Sequence, residues 1–144
     1  MTRSVLLSLA LALLVGCGST TPTPPTEKAA HNHPSRGPHG GPLVEWGEEE
    51  FHLEVVIDRP TGTATVYVLD DEAKAEVAVT AKVLTLSLTG EPPTVVTLNA
   101  VPNSSSKFVG THELFKKDDK LAGSVSGEHG GKKYSGKFRE KAVQ

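Results

Sequence analysis

Phe51, Leu53, Val55 and Ile57 alternate with His52, Glu54, Val56 and Asp58. An apolar residue at every second position suits a strand with one buried face. Arg59-Pro60-Thr61-Gly62 follows with turn residues in place. Ala64, Val66 and Val68 then alternate with Thr65, Tyr67 and Leu69, which completes a hairpin. Upstream, Leu43 to Trp46 reads as a short edge strand before the turn Gly47-Glu48-Glu49.

The same pattern continues to the C-terminus. Asp70 to Lys74 reads as an acidic turn. Beyond it, the alternation of Ala75, Val77, Val79, Ala81 and Val83 favours strand over the helical spacing of Ala73, Val77, Ala81 and Leu84, because the β-branched content rises. Strand continues over Val83 to Leu88, ends at Gly90-Glu91-Pro92-Pro93, and resumes over Thr94 to Val101 and Lys107 to Phe115. Leu121 to Gly127 and Tyr134 to Phe138 flank a glycine-bearing loop, Glu128 to Lys133, as a terminal hairpin. The expected fold is all-β: an antiparallel sandwich of about seven or eight short strands, immunoglobulin-like in its rhythm, or a small barrel.

Residues 1–16 form a different kind of text. Arg3 precedes an apolar run, Val5 to Val15, too short to span roughly 30 Å of hydrocarbon as a helix. The run ends in Leu14-Val15-Gly16-Cys17, with the chain's single cysteine in last place. This segment resembles the signal of bacterial lipoproteins. The resemblance implies cleavage before Cys17 and a diacylglycerol on its thiol, so that lipid anchors the protein to the membrane. Gly18, where an Asp would imply inner-membrane retention, implies the outer membrane, facing the periplasm. A lone cysteine excludes a disulfide scaffold.

Residues 17–42 carry Pro22, Pro24, Pro25, Pro34, Pro38 and Pro42 among Ser and Thr, and little that is apolar. That composition predicts a disordered, partly polyproline tether. The expected organisation is a signal peptide at 1–16, a lipidated tether at 17–42 and a β-domain at 43–144. Three of the six histidines, His31, His33 and His39, lie in the tether. Neutral imidazole is a common ligand for copper, zinc and nickel, and a flexible His-x-His pair can bring two nitrogens to one ion. The opposing reading is a set of solvated histidines.

The domain offers weaker candidates. His52 and Glu54 share the strand face opposite Leu53 and Val55; a metal pair is one reading and a solvated outer face the other. His112 and Glu113 are adjacent and point to opposite faces of a strand. His129 falls in a hairpin loop in the same His-Gly-Gly context as His39. There is no nucleophile elbow, phosphate-cradling glycine loop or HExxH, so an enzyme is not expected. A net charge of −2 argues against a broad nucleic-acid surface.

Gly37-Pro38-His39-Gly40-Gly41-Pro42-Leu43-Val44-Glu45, followed by Phe51 to Val56 and Thr65 to Leu69, resembles a short region of the periplasmic adaptor proteins of heavy-metal efflux pumps. It also resembles small stand-alone bacterial lipoproteins. The likeness covers residues 37–70. The coiled coil, lipoyl half-motifs and membrane-proximal barrel of an adaptor are missing, so the resemblance implies a related β-module and not a pump subunit. His39 is the candidate ligand that matches position by position. The expected function is a lipid-anchored periplasmic binding module that binds a Cu, Zn or Ni ion, or hands it to an efflux or envelope protein. The alternative is a structural or interaction lipoprotein of the envelope with no metal role.

Overall fold

A computed structural model describes residues 34–117 and 120–140. The expected signal segment, Cys17, His31 and His33 lie outside the described residues. The strands are β1 (Leu43–Trp46), β2 (Phe51–Asp58), β3 (Thr63–Leu69), β4 (Val83–Leu88), β5 (Thr94–Ala100), β6 (Lys107–Thr111), β7 (Ala122–His129) and β8 (Lys132–Arg139). They make one antiparallel sheet in the order β1-β2-β3-β6-β5-β4-β7-β8. The all-β antiparallel expectation holds, with eight strands among the described residues. The hydrogen-bonded order is continuous, and the sheet is rolled until it nearly closes.

The topology follows from the turns. β4, β5 and β6 succeed one another as neighbours, while β3 lies beside β6 and β7 beside β4. Each of these long returns completes a Greek key. At the seam, β8 passes so close to β1 that a Cβ on Gly136 would collide with the Glu45 carbonyl. Only glycine allows that approach.

The period-two pattern decides what faces inward. Leu53 and Val55 on β2 meet Val68 and Val66 on β3, and all four are 0–1% exposed. Trp46 closes one end of the core, with its ring 4.9 Å from Tyr134 and 6.1 Å from Phe51. Tyr134 donates to Glu50 across 3.0 Å. Burial, aided by this carboxylate, holds its phenol above the usual value. Phe115, fully buried, comes from a 3₁₀ turn, Glu113–Lys116. Burying such a ring stabilises by about 1.5–3 kcal/mol.

Several expected boundaries shift. Residues 77–82 are not a strand, although Val79 and Ala81 are buried as their alternation requires. The segment crosses the end of the sheet on single bonds, Val77 N–H to the Val68 carbonyl and Val79 N–H to the Ser105 carbonyl, so it packs without forming a ladder. The strand expected over Lys107 to Phe115 stops at Thr111, because the His112 side chain accepts from the Leu114 N–H and starts the 3₁₀ turn. The terminal hairpin is longer than expected. β7 and β8 pair to His129 and Lys132, leaving Gly130 and Gly131, at φ 58° and 78°, as the turn.

The largest correction concerns β2. His52 and Glu54 do lie on the face away from Leu53 and Val55, but that face is not solvated there. His52 is 1% exposed and Glu54 0%. Arg36 to Pro42, assigned by composition to the tether, packs over Glu54, and the loop after β3 meets His52 through the Asp70 carbonyl.

Candidate functional site

The loop that covers Glu54 is a small turn built by its own sequence. The Gly40 N–H donates to the Gly37 carbonyl and the Gly37 N–H to the Gly41 carbonyl, both at 3.0 Å. Pro38 therefore occupies the second position of a β-turn, where its fixed φ is an advantage, and His39 the third. Gly40 follows at φ 83°, in the left-handed region that favours glycine. A bridge between Arg36 and Pro42 closes the turn, and the Val55 N–H donates to the Pro42 carbonyl across 3.1 Å, fastening it to β2.

Two of the glycines are needed for contact with β2. A Cβ on Gly37 would collide with the Glu54 carboxyl group, and one on Gly41 with the Val55 carbonyl. With both bare, the loop lies directly on the Glu54 side chain. Each carboxylate oxygen then receives a donor: Oε1 from the Gly41 N–H and Oε2 from His39 Nδ1, both at 2.8 Å. An ionised carboxylate only accepts, so the proton in the second contact sits on Nδ1. A buried charge is tolerable because it is bonded on both oxygens.

The His39 ring is fixed on its face as well as its edge. It stacks on Tyr67 with centroids 3.7 Å apart and planes 6° from parallel. Tyr67 pairs with Glu54 from β2 and with Lys107 from β6, so one row across three strands sets ring, carboxylate and cation side by side. Lys107 Nζ lies 5.3 Å from the Tyr67 ring centroid. The His39 side chain stays 35% exposed, and its Nε2 lies 3.8 Å from Oε1 of Glu76, which is 40% exposed. With Nδ1 turned to the buried carboxylate, Nε2 is the ring nitrogen left on the accessible side, an arrangement also used by metal-ligating histidines.

The other sequence candidates are placed elsewhere. His31 and His33 lie outside the described residues. His52 is buried, with Nδ1 donating to the Asp70 carbonyl at 3.1 Å. The His112 side chain caps the 3₁₀ turn. His129 Nδ1 accepts from the Thr80 N–H at 3.0 Å. Among the described residues no three His, Cys, Asp or Glu side chains converge as a metal cage. A recess of about 680 Å³ opens on another part of the sheet beside Ser87, Ser124, Lys137 and Arg139, and includes none of the loop residues.

Sequence reasoning named His39 as a candidate but not Glu54 as its partner, Tyr67 as its platform or Glu76 as its neighbour. The glycines flanking His39 were the one available signal, since they announce a close backbone approach without saying to what. No family model matches the chain, and no curated protein or solved structure shows significant similarity to it.

Proposed function

We propose that the chain is a lipid-anchored binding module of the bacterial envelope, facing the periplasm, that takes up a transition-metal ion at His39 and passes it on in connection with metal efflux. One observation carries the metal reading: a fully buried carboxylate, Glu54, and a stacked Tyr67 hold the His39 ring so that Nε2 is turned to the accessible side. A histidine kept only for packing needs no such carboxylate, whereas a ligand gains basicity and a fixed tautomer from it. The anchor rests on Leu14-Val15-Gly16-Cys17 and its resemblance to lipoprotein signals.

The test is a titration of the full chain, held in detergent, with Cu(II), Zn(II) and Ni(II). Binding at micromolar concentrations or tighter is expected. His39→Ala should weaken it by about tenfold or more, the scale on which such sites respond to loss of a supporting group. If His39→Ala binds as the parent does, the metal reading fails and the envelope-interaction reading takes its place.

A further inference from the structure

From the geometry we infer that Glu76 is the second metal ligand, and that it and His39 form a fixed two-donor site, open on its remaining positions, for borderline divalent ions. This inference rests on the metal reading above. Glu76 comes from the loop between β3 and β4, where a single bridge to Leu69 fixes its backbone. Its Oε2 accepts from the Ser106 hydroxyl at 2.5 Å, which leaves Oε1 directed at His39 Nε2. The two residues are thus prepared alike. Each has one polar atom tied back to the protein, Nδ1 to Glu54 and Oε2 to Ser106, and one atom free to ligate.

The spacing between the two free atoms supports a cation. Nε2 and Oε1 stand 3.8 Å apart, too far for a hydrogen bond. Two metal–ligand bonds of about 2.1 Å each span up to about 4.2 Å, so an ion fits between them in a bent arrangement. An ion between them would be attracted by the Glu76 carboxylate and bound by the Nε2 lone pair.

The donor set names the class of ion. The two donors are an imidazole nitrogen and a carboxylate oxygen, and there is no cysteine or methionine among the described residues. A pair of donors with no thiolate or thioether does not offer Cu(I) and other soft ions their preferred ligands. An imidazole ligand argues equally against Ca²⁺ and Mg²⁺, which want oxygen throughout. Zn(II), Ni(II) and Cu(II) remain, with Cu(II) held tightest by the Irving–Williams order. Two protein donors leave coordination positions for water or for a receiving group, so the site suits exchange better than storage.

The experiment compares the full chain in detergent with Glu76→Gln, His39→Ala and the pair His31→Ala/His33→Ala. It uses Cu(II), Zn(II), Ca(II) and Cu(I) as probes and electron paramagnetic resonance of the Cu(II) form. Expected are Cu(II) tighter than Zn(II), no Ca(II) binding at matched concentration, and weaker Cu(I) than Cu(II) binding. Glu76→Gln should lose about tenfold or more in Cu(II) affinity with an unchanged thermal midpoint. The tether pair should stay within about threefold of the parent, and the spectrum should show one imidazole nitrogen. Binding that survives Glu76→Gln, or a spectrum with several imidazoles that His31→Ala/His33→Ala removes, overturns the two-donor site while leaving a metal role intact. Absence of metal binding in the parent overturns both.

Discussion

Gly37 has no side chain, and the candidate site depends on that. A methyl group there would occupy the space of the Glu54 carboxyl. Gly37→Ala therefore forces the loop off β2 and leaves a buried carboxylate without its two donors. Such a loss costs about 1–3 kcal/mol. Urea unfolding should show a lowered midpoint, and the His39 ring protons should lose the upfield shift that stacking on Tyr67 produces. An unchanged midpoint and shift would mean that the loop does not rest on Glu54. The case also shows where sequence reading stopped. Alternation correctly put Glu54 on the outer face of β2, but its burial comes from a loop 15 residues away. Glu76 reaches His39 from farther still, through a connection that no spacing rule encodes. Local periodicity reports which way a side chain points, and says nothing of what later covers it.

The loop Asp70 to Glu76 behaves as an element although it has no regular structure. The Asp70 carboxylate accepts from the Lys74 N–H at 2.8 Å and the Ala75 N–H at 3.3 Å. The Lys74 backbone donor is the main reason its carboxyl is held below the ordinary 3.8, against a smaller opposing effect of burial. A depressed folded value means that the stabilisation is present above the unfolded value and is lost as pH falls through the folded one. The thermal midpoint should accordingly drop as pH is lowered below about 4, and Asp70→Asn, neutral throughout, should flatten that slope. Equal slopes in both proteins would remove Asp70 from the account. The strands themselves were largely legible, because alternation fixes both their existence and their inward face. Their ends were not. His112 turns the chain into a 3₁₀ turn, and Val77 to Ala81 keeps a strand-like pattern while crossing the sheet end on single bonds. In both places a local hydrogen bond or the supply of a ladder partner decides, and neither appears in the pattern of apolar residues.

At the scale of the whole molecule the chain divides its tasks between an expected anchor and a sheet. Replacing Cys17 tests the first. Cys17→Ser should abolish fatty-acid labelling and move the protein from the membrane fraction to the soluble one, since two or three acyl chains are needed for stable anchoring. Labelling that persists would refute the anchor. The sheet has its own arrangement at the seam. β1 and β8 are the two ends of the hydrogen-bonded order, and Gly136 lets them come together backbone against backbone. An open eight-stranded sheet would offer two unpaired rims as templates for further strands, the usual start of edge-to-edge aggregation. Here the two rims approach one another at Gly136 and Glu45, which leaves less room for a further strand. Copies at high concentration can then meet side by side without one recruiting the next into a fibril.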